Sequence, residues 1–116
     1  MTAAAFDRLV EECFSQIPRR FRRRMKNVVI VVEAKAPRRN LLGLYQGRPL
    51  TERSVSDGFT LPDKITIFQD THERTARTRS ELEKTVYETL WHEVAHYFGM
   101  DERQVRRAER LRGHQG

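Results

Sequence analysis

Two of the four histidines stand four residues apart, with a glutamate beside the first, in His92-Glu93-Val94-Ala95-His96. On a helix, residues four apart share a face and lie about 6 Å apart along the axis. His92 and His96 can therefore bring two imidazole nitrogens to ~2.0–2.1 Å from one zinc ion. Glu93, turned by ~100° from His92, can sit beside the metal without ligating it. Zinc would acidify a water and polarise a scissile carbonyl, and Glu93 would serve first as base and then as acid in peptide-bond hydrolysis. Such a pentapeptide also arises by chance, and a lone helical histidine is usually a surface or core residue. Here Val94 and Ala95 fill the intervening positions and no Pro or Gly interrupts the helix, so the context this motif demands is present.

A catalytic zinc normally takes three protein ligands and keeps one position open. Gly99, three residues past His96, can adopt a left-handed conformation and turn the chain back towards the metal. Glu102 is then the preferred third ligand, from its spacing to that glycine. Asp101 is the competitor, with an alternative role as N-cap of a following helix. His72 and His114 have no partner at ligand spacing and are expected at the surface. Tyr45, Tyr87 and Tyr97 could offer a hydroxyl to an oxyanion, but packing is the simpler expectation for each.

The helix that must carry the motif is marked by Leu82, Val86, Leu90, Val94 and Phe98. A capping box at Ser80-Glu81-Leu82-Glu83 is expected to open it and Gly99 to close it. Upstream, Phe6, Leu9, Val10, Cys13, Phe14 and Ile17 recur at helical spacing, predicting an amphipathic helix over residues 3–17 with Cys13 in its core face. Residues 18–26 suggest a short basic helix anchored by Phe21 and Met25. The β-branched run Val28–Glu33 predicts a central strand buried on both faces. Residues 41–45 form a plausible short strand and Phe59–Leu61 a brief edge strand. Residues 64–68 alternate with period two, as a half-buried strand should. A last helix is expected from Asp101 to about Arg112. The order predicts one compact α+β domain over residues 1–116.

The formal charge is +6, from 22 Lys and Arg against 16 Asp and Glu. The excess gathers in residues 19–26 and 103–112. That permits binding to nucleic acid, although solvated helix faces are the plainer reading, with no aromatic interleaving beyond Phe21. No apolar run approaches the ~20 residues that cross a membrane. The N-terminal residues lack the pattern of a secretory signal. A single cysteine excludes an internal disulfide and makes a reducing, cytoplasmic setting the default.

The segment His92-Glu93-x-x-His96-x-x-Gly99-x-x-Glu102 resembles the extended motif of the zincin metallopeptidases. The metzincin group has this spacing with His or Asp last, but Met100 is too close to the zinc helix to supply that group's methionine turn. More closely, residues 6–112 resemble the small bacterial minimal zincins. The likeness rests on Leu42-Gly43-Leu44-Tyr45-Gln46-Gly47, on residues 49–53, on Leu61–Phe68, and on the zinc helix with Gly99-Met100-Asp101-Glu102. It implies a small mixed sheet, a backing N-terminal helix, an active-site helix and a short C-terminal helix. It also implies zinc on His92 and His96, a carboxylate third ligand, and Glu93 as base; Glu102 stands where that family commonly has Asp.

Three functions compete at this point. A minimal zinc peptidase acting on extended or unfolded peptides leads, with Phe59–Leu61 a candidate for holding substrate by strand addition. A metal-dependent ribonuclease is encouraged by the charge. The bacterial rRNA-maturation zinc proteins, however, have a third histidine where this chain has Glu102 and no glutamate at the position of Glu93. A non-catalytic zinc module would need four protein ligands, often cysteines, and Cys13 alone is poor material.

Overall fold

The computed structural model describes residues 1–47 and 62–100, with Arg103, Gln104 and Arg107 beyond them. Helix α1 (Ala3–Ser15) starts where the Thr2 hydroxyl accepts from the Ala5 amide at 3.1 Å, satisfying one of the amides a helix start leaves unbonded. It buries Phe6, Leu9, Val10 and Cys13. Burial raises the Cys13 thiol to about 11, with Glu83 and Glu12 adding to the shift, so Cys13 is the inert core residue its position predicts. A short helix α2 (Arg19–Arg22) follows Pro18, and Phe21 and Met25 pack against the core as expected.

Three strands form the sheet: β1 (Val28–Glu33), β2 (Gly43–Gln46) and β3 (Asp63–Phe68), in the order β1-β3-β2. β1 runs parallel to β3, and β2 antiparallel. The register places Ile30, Ile65 and Tyr45 in one row, and Val32, Ile67 and Gly43 in the next. These residues share the inner face, since facing partners point the same way.

The expectation for the strands is reversed. β3 is the central strand and is buried nearly throughout, with Thr66 at 3% exposure between Ile65 and Ile67 at 0%. β1 is an edge of the sheet among the described residues, and Val29 is 43% exposed. Only Val28, Ile30 and Val32 of β1 pack on the core. A β-branched run reports strand propensity, which exposed faces also tolerate.

Helix α3 (Gln69–Thr75) follows β3 directly, and α4 (Arg79–Tyr97) packs against α1, β2 and β3. The start of α4 lies before the expected box. Thr78 is the N-cap, its hydroxyl accepting from the Glu81 amide at 3.1 Å, while Glu81 reaches back to the Arg77 amide at 2.7 Å. Glu83 instead pairs with Arg79 one turn earlier, at 3.1 Å. Gly99 ends the helix at φ 68°, with the Gly99 amide bonded to the His96 carbonyl and the Met100 amide to that of Ala95. This is the left-handed terminator expected of a glycine one residue past the cap.

The core gathers Phe6, Leu9, Ile17, Ile65, Ile67, Leu90, Val94 and the fully buried Trp91. Phe21 meets the Trp91 ring edge-on at 5.0 Å between centroids. The architecture is the expected α+β fold: a small mixed sheet, a backing N-terminal helix and a long helix carrying the motif. The expected edge strand at 59–61 and most of the expected C-terminal helix lie outside the described residues. No helix among the described residues is long and apolar enough to cross a membrane.

Candidate active site

The motif sits in the last two turns of α4, where the helix changes from core to surface. Trp91, Val94 and Ala95 are buried, whereas the His96 side chain is 59% exposed. His92 is half-buried. Apolar residues thus hold the helix down on one side and leave the two histidines on the other. Glu93 lies between these environments at 8% exposure.

Glu93 is held from two directions. His96 Nδ1 stands 3.3 Å from Glu93 Oε1, and the backbone amide of Tyr45 donates to the Glu93 carboxylate. The sheet supplies that amide for a geometric reason. The Phe68 amide donates to the Leu42 carbonyl at 3.0 Å. Antiparallel ladders alternate, so Leu44 and Gln46 continue this bonding to β3 and the Tyr45 amide faces away from it. Burial pushes the Glu93 carboxyl above its ordinary range, while His96, His92 and the Tyr45 amide pull it back. A carboxyl shifted this way moves towards the range in which it can both accept and return a proton.

Gly43 makes this approach possible. A Cβ built there would lie 2.6 Å from Thr89 Cγ2, 3.2 Å from the Thr66 carbonyl and 3.4 Å from Glu93 Cγ. Any side chain larger than hydrogen would push β2 off α4 and carry the Tyr45 amide with it. Gly43 and the Tyr45 amide were not foreseen as site elements, although a glycine inside a strand pattern is a recognised signal of close backbone approach.

His72 corrects the expectation of a surface residue: it is wholly buried. Its Nδ1 lies 2.8 Å from the Phe68 carbonyl, which can only accept, so Nδ1 carries a proton. Its Nε2 lies 2.9 Å from Thr89 Oγ1, and that hydroxyl is also 2.9 Å from the Thr85 carbonyl. Burial lowers the His72 pKa, against a partial opposing effect of the hydrogen bonds. His72 therefore braces Thr89, the residue on which Gly43 rests, and lies beneath the site without facing it.

The tyrosines are engaged elsewhere, as packing predicts. Tyr45 donates its hydroxyl to Asp63 Oδ2 at 2.6 Å. The Tyr97 hydroxyl donates to the Arg24 carbonyl at 3.2 Å and accepts from the Lys26 amide at 3.3 Å. Tyr87 is buried at 9% exposure.

His92 and His96 suit a zinc ion as two nitrogen donors on one accessible helix face. With His96 Nδ1 beside Glu93, its Nε2 is the nitrogen left for a metal. No group of three or more His, Cys, Asp or Glu side chains able to hold a metal occurs among the described residues. The expected third ligand, Glu102, and its competitor Asp101 lie outside those residues, as does His114.

Residues 25–111 match the family of zincin-like metallopeptidases. The fold also resembles that of a conserved hypothetical protein from Thermo thermophilus, with 31% identity and a TM-score of 0.58. That match covers 84% of this chain and 94% of the other. No curated protein matches the chain. The chain belongs to the zincin-like metallopeptidase family, as the resemblance of its motif and strands implied.

Proposed function

We propose that the protein is a zinc-dependent peptidase in which His92 and His96 hold the metal and Glu93 moves the proton. The observation that carries this reading is the placement of Glu93, buried beside two accessible histidines and fastened to β2 by the Tyr45 amide. Bound there, zinc supplies a Lewis acid that acidifies water and polarises a carbonyl. Glu93 takes the proton of the attacking water and delivers it to the departing amine. Its burial keeps the proton within reach through both steps, and the Tyr45 amide fixes the carboxylate. A carboxylate from Glu102, or from Asp101, completes the metal set.

Substrate is an extended or unfolded peptide; the segment considered for holding it by strand addition, 59–61, lies outside the described residues. Glu93→Gln should lower zinc-dependent cleavage of denatured casein by roughly 10²–10⁴-fold, the usual size of a general acid–base contribution, with zinc content unchanged. Equal turnover by variant and parent overturns the assignment. Cleavage of structured RNA with no cleavage of casein would establish the ribonuclease instead.

A further inference from the structure

Residues 13–32 contain six cations, Arg19, Arg20, Arg22, Arg23, Arg24 and Lys26, and no acidic residue. Arg22 turns inward, its Nε donating to the Ile17 carbonyl at 2.8 Å. The other five are exposed. This basic segment is fastened to the end of the motif helix: the Tyr97 hydroxyl holds the Arg24 carbonyl and the Lys26 amide, and Tyr97 is the residue after His96. On the opposite side of the motif stands an acid. Glu88 is exposed one turn before His92, on the same helix face. The motif therefore has the basic segment towards the C-terminal end of α4 and Glu88 as the nearest charge on its own face towards the start, with the exposed Lys84 a further turn away.

We infer that the site selects peptides carrying acidic residues on one side of the cleaved bond, the side that lies over Arg23, Arg24 and Lys26. The inference rests on the peptidase reading and specifies its substrate class. A basic rim within about a Debye length of a cleft concentrates oppositely charged ligands there and speeds their capture. Glu88 adds discrimination, since acidic residues on the other side would meet a like charge. A nucleic acid is the weaker occupant of this surface. The only aromatic between Arg19 and Lys26, Phe21, has its ring against Trp91 at 5.0 Å and Phe98 at 5.6 Å, so it offers no platform for stacking a base.

The experiment uses zinc-loaded full chain and unstructured fluorogenic peptides that differ only by a Glu or a Lys placed at successive positions on either side of one cleavable bond. On one side alone, Glu should raise kcat/KM about tenfold over Lys at low salt, the lower end of electrostatic steering effects. The preference should vanish as ionic strength approaches about 1 M, where the screening length falls to about 3 Å. The triple variant Arg23→Glu, Arg24→Glu, Lys26→Glu should invert it, and the milder triple change to Gln should abolish it. No preference, a preference of equal size on both sides, or one that survives in the Gln variant overturns the inference. Binding is read separately by fluorescence anisotropy with Glu93→Gln protein, so that failure of catalysis and failure of charge selection are distinguishable. If neither parent nor variant cleaves, the peptidase reading fails, while a charge preference in binding would still support the selective surface. Tighter, salt-sensitive binding of structured RNA than of the acidic peptide overturns the choice of partner.

Discussion

Two neighbouring stretches of α4 each involve a histidine, and they use it in opposite ways. In the turn from His92 to His96 the rings reach the surface, and the buried member is a carboxylate, Glu93. One to two turns earlier, Thr85 and Thr89 receive His72 from α3, and the ring is sealed from solvent with both nitrogens in contact with polar partners. Burial drives each enclosed group towards its neutral form, which raises Glu93 and lowers His72. The two regions meet at Thr89, whose methyl group sets how closely β2 approaches and hence where the Tyr45 amide finds Glu93. A histidine at α4 is therefore open to a ligand or locked into the core according to whether the fold covers it.

Exchanging the roles gives the largest expected effect. His96→Ala should weaken zinc binding by more than about 100-fold, above the usual loss for an outer partner, while changing stability by about 0.5 kcal/mol or less, as for an exposed site. His72→Leu should do the reverse: one zinc per chain retained, and about 1–3 kcal/mol lost with the ring's buried hydrogen bonds to the Phe68 carbonyl and the Thr89 hydroxyl. Zinc titration and urea unfolding separate the outcomes, and loss of zinc by the His72 variant would erase the distinction.

The junction between the regions is tested by Gly43→Ala. Overpacking against Thr89 should cost about 1–3 kcal/mol and reduce activity by displacing the Tyr45 amide. Thr89→Ser removes the clashing methyl and keeps the hydroxyl, so the double variant should recover much of both losses. Strict additivity of the two changes would show that the contact does not couple them.

The smallest effect is the pH dependence. With a folded pKa below its unfolded value of about 6.5, His72 contributes stability that is complete above that pH and declines as pH falls through it, because the unfolded chain takes up the proton first. Glu93, raised in the fold, slopes the other way: the folded chain binds the extra proton, so stability grows as pH falls towards the ordinary carboxylate range. The difference between parent and His72→Leu isolates the first slope, and it should shrink steadily below about pH 6.5. An unchanged difference would mean that His72 is charged in the fold.

Much of this was legible in the residues, for physical reasons that also explain what was missed. The motif helix announced itself because Leu82, Val86, Leu90 and Val94 repeat at helical spacing, and Gly99 ended it where a left-handed residue was needed. Its start was ambiguous because Thr78-Arg79-Ser80-Glu81 and Ser80-Glu81-Leu82-Glu83 both satisfy the same capping pattern. The first prevails because Glu81 bonds the Arg77 amide while Glu83 is taken by Arg79. Helix α3 gave no apolar stripe to detect: its buried residues are Gln69, Thr71 and His72. The same silence hid the burial of His72. The rank of the strands was misread because Thr66 looks like a solvent-facing position in an alternating strand, although it is buried in the central one. No pattern of side chains could have revealed the Tyr45 amide, because a backbone donor leaves no trace in residue type; only Gly43 hinted at the close approach.

The central claim is that His92 and His96 form an open zinc site, and X-ray absorption on the zinc-loaded protein tests it most directly. Two imidazole nitrogens per zinc are expected, with oxygen in the remaining positions, and imidazole scattering should be lost in the His92→Ala, His96→Ala double variant. A sulfur ligand, four protein ligands around the metal, or an unchanged spectrum in the double variant would contradict it.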